Sequence, residues 1–108
     1  DLNSPRLADL LTLDDAAFRK LFSGSPVKRI GRNRFLRNVL IAAGNSCDEG
    51  LLPTVRGLLS DEDPTVRGAA VWAFSRLTDA GDFAAARKNN LPLETSKEVK
   101  SEWTSAEH

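Results

Sequence analysis

The feature that most constrains the fold is a repeat inside the chain with a period of about thirty residues. The letters LRNVL at 36–40 align with VRGAA at 66–70, and the apolar segment 52–56 aligns with 83–87 when one extra residue is allowed. Repeats of this length are typical of solenoid proteins, in which each unit buries its apolar face against the next. The sequence therefore predicts an all-α chain of stacked helix pairs.

Apolar spacing and capping residues place the individual helices. Within 32–44, apolar residues recur with the helical period, as the stripe Phe35, Leu36, Val39, Leu40 and Ala43. Asp63 followed by Pro64 marks a new helix at 65–77, because aspartate caps a helix and proline suits its first position. A shorter helix is predicted at about 83–88. The whole chain should hold about six short helices.

The start of the second repeat resembles a known repeat family. The string DPTVR at 63–67 is followed by Ala69 and Ala70, and DPxVR is characteristic of the short HEAT-like repeats of the PBS-lyase type. The resemblance implies a solenoid whose two ends need capping helices. We expect one domain, with N-terminal capping helices in 1–24, two helix-pair repeats in 25–90 and a C-terminal capping helix in 91–108.

The basic residues are segregated although the net charge is zero. No acidic residue lies between Asp15 and Asp48. Seven of the fifteen basic residues lie in this window: Arg19, Lys20, Lys28, Arg29, Arg32, Arg34 and Arg37. Such asymmetry predicts a surface that faces a polyanion.

The residue types in this window suit contacts to nucleic acid. Arginine offers a bidentate fork to phosphate, and asparagine suits sugar and base edges. Gly31 permits a close approach or an unusual backbone angle, and a helix beginning near Arg32 would point its positive dipole end at an anion. The candidate RNA-binding residues are Lys28, Arg29, Arg32, Asn33, Arg34, Arg37, Asn38 and Asn45.

The window also resembles a known enzyme family. Two segments carry the resemblance: 13–22, and 24–46 with its string SPVKRIGR. They resemble the C-terminal region of the epoxyqueuosine reductases, which complete the queuosine modification of tRNA. The resemblance covers roughly residues 10–80. It implies a tRNA-binding accessory domain that contacts the anticodon arm in the cytoplasm, with possible contact to the family's iron–sulfur domain as a further partner.

The resemblance implies no chemistry within this chain. In that family the catalytic residues, the cobalamin site and the cysteines of two [4Fe–4S] clusters lie N-terminal to this region. A cluster usually takes four cysteine thiolates, whereas this chain has one cysteine, Cys47. We therefore expect no catalytic residue, metal ligand or cofactor here. The absence of methionine leads us to expect a segment of a larger protein, and no apolar run approaches the roughly 18 residues of a membrane span.

Several alternatives remain open from the sequence alone. The basic window is either an RNA surface, an ordinary solvated face, or part of a HEAT-like protein-interaction scaffold that docks an acidic partner surface. Arg67 is expected to pair with a neighbouring acid, and its repeat equivalent Arg37 is assigned equally to pairing or to RNA. Trp72 is expected to lie in the core or to pack between helices. Trp103 is expected to cover the last repeat rather than to act as a stacking platform.

Overall fold

The computed structural model describes residues 3–105, with side chains from residue 7 onward. Seven α-helices lie within this part of the chain: α1 Asn3–Leu11, α2 Asp15–Leu21, α3 Gly31–Asn45, α4 Leu52–Leu58, α5 Pro64–Leu77, α6 Ala80–Asn90 and α7 Lys97–Ser105. Three 3₁₀ segments join them: Pro26–Ile30, Glu49–Leu51 and Leu91–Leu93. The predicted all-α class is confirmed, with seven helices instead of about six.

Aspartates begin three of the helices. Asp14 accepts a hydrogen bond from the amide of Ala17 at 2.7 Å, and Asp63 accepts one from the amide of Val66 at 3.1 Å. Asp79 accepts in the same way at the start of α6. That third cap is why α6 begins at Ala80, before the predicted start near residue 83.

The helices form two layers. α1, α3, α5 and α7 pack side by side in that order, with α3 and α5 in the most extensive contact. α2 packs against α3, α4 packs against α1 and α5, and α6 packs against α5. This is the stacking that a helix-pair repeat predicts. The division into 1–24, 25–90 and 91–108 stays a prediction.

The core lies where the repeat alignment places it. Five apolar residues of the aligned segments 36–40 and 66–70 are buried: Leu36, Val39, Leu40, Val66 and Ala70. Trp103 is 1% exposed, and its ring centroid lies 5.4 Å from that of Phe83. The prediction that Trp103 covers the last repeat is therefore confirmed. In the described part of the chain, no helix is long and apolar enough to cross a membrane.

The contact between α3 and α5 is unusually close at Gly44. A Cβ atom added to Gly44 would lie 2.5 Å from Cζ3 of Trp72 and 3.1 Å from the Cα of Ala73. Only glycine leaves room for this approach. The half-buried indole packs against the backbone of α3, which confirms the inter-helix role predicted for Trp72.

Candidate nucleic-acid interface

The solvent face of α3 carries most of the predicted contact residues. The helix buries one stripe, which includes Leu36, Leu40 and Ala43, against the core. The helical period places the opposite side in solvent, where the exposed residues are Asn33, Arg34, Arg37, Asn38, Ile41, Ala42 and Asn45. Arg34, Asn38 and Asn45 follow one another at intervals of four and seven residues, so they share one flank of this exposed side.

The 3₁₀ segment before α3 presents two more cations. It begins at Pro26, after Ser25 accepts a hydrogen bond from the amide of Val27 at 3.2 Å. Lys28 and Arg29 are exposed within it. Gly31 then takes a φ of 82°, a left-handed value that other residues rarely adopt, and nothing lies within 4 Å of a Cβ built there. The unusual backbone angle predicted for Gly31 is therefore confirmed, and the open space beside it leaves the close approach of a partner a prediction.

Arg32 does not reach into solvent as the sequence suggested. Its Nη2 and Nη1 donate to the carboxylate of Asp61 at 2.8 and 3.1 Å, and its Nε donates to the carbonyl of Leu13 at 3.0 Å. The two side chains of this ion pair are only 17% and 11% exposed. Arg32 thus holds the start of α3 to two other segments, and the structure does not place it on the candidate RNA surface.

The electrostatics of this pair agree with its geometry. Burial alone would raise the pKa of Asp61, but hydrogen bonds from Arg32 and from the amide of Asp63, together with the arginine charge, bring that pKa below its ordinary value. The hydrogen bond to Asp61 raises the pKa of Arg32. Both groups are held in their charged forms.

Arg67 makes the equivalent contact in the next repeat. Its Nε and Nη2 donate to Glu94 at 3.0 and 2.9 Å, and its Nη1 donates to the carbonyls of Asp61 and Glu62. The predicted pairing of Arg67 with an acid is confirmed. Arg37, its equivalent in sequence, instead donates to the side chain of Asn38 at 3.4 Å and stays exposed. Arg32 therefore takes the pairing role in the first repeat.

The beginning of α3 faces acidic side chains. A surface recess of about 600 Å³ is lined by Ile30, Gly31, Arg32 and Asn33 together with five acids: Asp14, Asp15, Asp61, Glu62 and Asp63. These acids lie outside the acid-free window in sequence, but the fold brings them to its start. The N-terminus of α3 therefore faces carboxylates of this chain, and the expectation that it points at an anion of a partner stays a prediction.

A second notch, further along α3, has a different lining. It has a volume of about 540 Å³ and is lined by Ile30, Asn33, Arg34, Arg37, Asp63 and Thr65. Two guanidinium groups, an amide and a hydroxyl offer donors to a phosphate. Asp63 also lines the notch, where one of its oxygens accepts the α5 capping hydrogen bond.

Thr65 was missed because it belongs to another helix. The sequence window ends before α5, so the contact appears only once α3 and α5 are placed side by side. The repeat alignment contained the signal, since it pairs the starts of the two helices. Among the described residues, no group of three or more His, Cys, Asp or Glu side chains could hold a metal ion.

Comparisons with known proteins agree with the fold and with the resemblance. A family model described as HEAT-like repeat matches residues 39–77. An epoxyqueuosine reductase of Alicycliphilus denitrificans is 34% identical over 69% of this chain and 23% of its own length. The Escherichia coli epoxyqueuosine reductase is 31% identical over 69% of this chain and 20% of its own length.

One solved structure overlays most of the chain. It is a crystal structure of epoxyqueuosine reductase with an epoxyqueuosine-modified stem loop of tyrosine tRNA, 27% identical, with a TM-score of 0.84 over 93% of this chain and 27% of that one. The chain therefore spans about a fifth to a quarter of the length of these relatives. The HEAT-like class and the similarity predicted from residues 13–46 are both confirmed.

Proposed function

This chain is homologous to a segment of the epoxyqueuosine reductases, and from that premise we propose that it is a non-catalytic tRNA-binding domain of queuosine biosynthesis. It grips the anticodon arm through the basic face that α3 and the preceding 3₁₀ segment form. The observation that carries the proposal is this face, on which Arg34 and Arg37 have no carboxylate within ion-pair distance among residues 7–105. The structural relative with a tRNA stem loop supports the choice of ligand.

The side chains divide by role. Lys28, Arg29, Arg34 and Arg37 contact phosphates, which supply affinity independent of sequence. The amides of the face contact ribose and base edges, namely Asn33, Asn38 and Asn45. Arg32 positions α3 through Asp61 and does not touch RNA.

The cofactors that the family resemblance implies do not fit this chain. Iron–sulfur clusters are usually held by four thiolates, and the chain has the single cysteine Cys47, which is exposed. We assign the clusters, the cobalamin and the reductase chemistry to the other parts of a full-length relative. Contact with the cluster-bearing part and a cytoplasmic location, where tRNA is modified, belong to the same proposal.

The test is binding of a tyrosine tRNA anticodon stem loop, measured by fluorescence anisotropy at low salt. The triple variant Arg29→Gln, Arg34→Gln, Arg37→Gln should bind at least about tenfold more weakly than the wild type, because each lost phosphate contact removes counterion release. A control triple, Lys88→Gln, Lys97→Gln, Lys100→Gln, loses the same charge at exposed positions of α6 and α7. Equal affinities for the two triples would reject the assigned face.

A protein partner is the second candidate, and one observation favours it. Ile30 and Ile41 are 41% and 37% exposed within or beside the basic face. Apolar side chains among cations suit an acidic protein surface as well as RNA. Two results together would favour this candidate. The face variants would bind the stem loop as tightly as the wild type does, and the same variants would lose an acidic protein that co-purifies with the wild type.

A further inference from the structure

The basic face of α3 does not end at the edge of that helix. α3 and α5 lie side by side and run in the same direction, because Arg37 and Thr65 share a notch at one end and Gly44 touches Trp72 at the other. At both ends the neighbour in α5 is the residue 28 positions later. This register places the outer faces of the two helices side by side. We call the surface strip between them, from the notch at Arg37 and Thr65 to Gly44 and Trp72, the α3–α5 groove.

The α5 side of this groove has a composition that the sequence did not single out. One face of α5 carries four residues at intervals of four, three and four: Thr65, Ala69, Trp72 and Arg76. Thr65 and Arg76 are exposed, and Trp72 is half-buried. The chain's other tryptophan, Trp103, is instead fully enclosed in the core.

Trp72 and Arg76 form a cation–π pair at the far end of the groove. The guanidinium carbon of Arg76 lies 5.7 Å from the centroid of the Trp72 ring, one helical turn away. The indole edge rests on the backbone at Gly44, which fixes its position. Arg76 has no acidic partner within ion-pair distance in the part of the chain with described side chains. An indole next to an uncompensated guanidinium is a surface on which a nucleobase stacks.

We propose that the α3–α5 groove is the path of one unpaired RNA segment, with phosphates at Arg34, Arg37 and Thr65 and a base stacked on the Trp72–Arg76 pair. The seven residues from Thr65 to Trp72 rise by about 10 Å along α5, a distance that a few nucleotides span. The inference rests on the proposed function and adds a stacking subsite to it. Unpaired loop or flanking nucleotides fit, because only unstacked bases can reach an aromatic side chain.

The experiment uses the intrinsic fluorescence of the chain, titrated with the tyrosine tRNA anticodon stem loop with its flanking single strands. Stacking of a base on Trp72 quenches its emission, whereas the enclosed Trp103 supplies a constant background. Trp72→Phe should remove the quenching while keeping a ring at the site. Trp72→Leu should weaken binding about tenfold, and Arg76→Gln about threefold.

A matched control separates the groove from general loss of charge. Arg87 lies over the ring of Phe83 at 5.9 Å, a similar pair outside the groove, so Arg87→Gln should leave affinity and quenching unchanged. Circular dichroism and thermal unfolding establish that each variant is folded. If Trp72→Leu does not fold, the affinity of Arg76→Gln and the quenching that Trp72→Phe removes carry the test.

The outcomes separate the two proposals. Binding that depends on Arg34 and Arg37, without quenching in the wild type and without loss of affinity in Trp72→Leu or Arg76→Gln, overturns the stacking subsite and leaves the tRNA-binding proposal standing. No binding of the stem loop by the wild-type chain overturns both and leaves the protein partner.

Discussion

Replacing Arg32 tests whether the structure has divided the basic residues correctly. Arg32→Met keeps the aliphatic length but removes four hydrogen bonds, two to Asp61, one to the carbonyl of Leu13 and one to the side chain of Asn33. Breaking a buried ion pair costs about 3–5 kcal/mol, and the partial exposure of this pair places it lower, at about 2–3 kcal/mol. For a chain of this size the midpoint of thermal unfolding should fall by about 10 °C.

Arg37→Met is the matched change at an exposed position. It removes the same charge, but Arg37 has one long hydrogen bond, to Asn38, so the free energy of unfolding should change by less than about 0.5 kcal/mol. The two changes should affect stem-loop affinity in the opposite order. Affinity should fall several-fold for Arg37→Met but less than about twofold for Arg32→Met, when both are measured well below their unfolding temperatures.

Urea unfolding followed by circular dichroism measures the stability, and anisotropy measures the affinity. A double-mutant cycle with Asp61→Leu adds a further check, because removing both charges should cost less than the sum of the two single changes. An Arg32→Met variant as stable as the wild type, or one that is stable but loses RNA binding, would refute the division of roles.

Two further predictions concern stability. The pKa values of Asp61 and Glu94 are both lowered: burial opposes the shift at Asp61 but is outweighed by its hydrogen bonds, and at Glu94 the hydrogen bond from Arg67 is the main cause. The two carboxylates therefore stabilise the fold fully above about pH 5, and this stabilisation is lost as the pH falls through their lowered folded-state pKa values. The urea midpoint should be level from about pH 5 to 7 and should drop below about pH 4. A level profile down to about pH 2 would contradict this. Gly44→Val should destabilise the chain by about 2–3 kcal/mol, because the added Cβ meets α5. The control Gly57→Ala adds a methyl group in open space on α4 and should stabilise the chain by up to about 1 kcal/mol. The reverse order of the two variants in thermal unfolding would contradict the close helix contact.

The parts of the fold that depend on local patterns could be predicted from the sequence. The apolar stripe of α3 and the Asp63–Pro64 start of α5 act within one helical turn of their own residues, so their physics is local. The repeat then supplied the stacking, because neighbouring units must bury each other's apolar faces. The class, the core and most helix starts follow from these signals.

The charge pairing could not be predicted in the same way. Arg32 and Arg37 lie five residues apart in one basic window, yet one turns toward the α4–α5 turn and the other toward solvent. Which of the two arginines forms the ion pair depends on where the fold places Asp61, and the separation of the residues in the sequence does not give that position. The same holds for the acidic recess at the start of α3, which is built from three separate stretches of the chain.

The groove depended on the register between two helices. Sequence periodicity gives the face of α5 that carries Trp72, but it does not say that this face continues the face of Arg37. The close contact at Gly44 sets that register, and its cause is the missing side chain of a single residue. A glycine in the last turn of α3, in line with its apolar stripe, was the available signal.

The salt dependence of stem-loop binding tests the central claim most directly. Four cations on the face, Lys28, Arg29, Arg34 and Arg37, predict that the logarithm of the association constant falls with the logarithm of salt concentration with a slope of about −3. The double variant Arg34→Gln, Arg37→Gln should show about half that slope. A wild-type slope near zero, or the same slope in both proteins, would contradict a phosphate-binding face on α3.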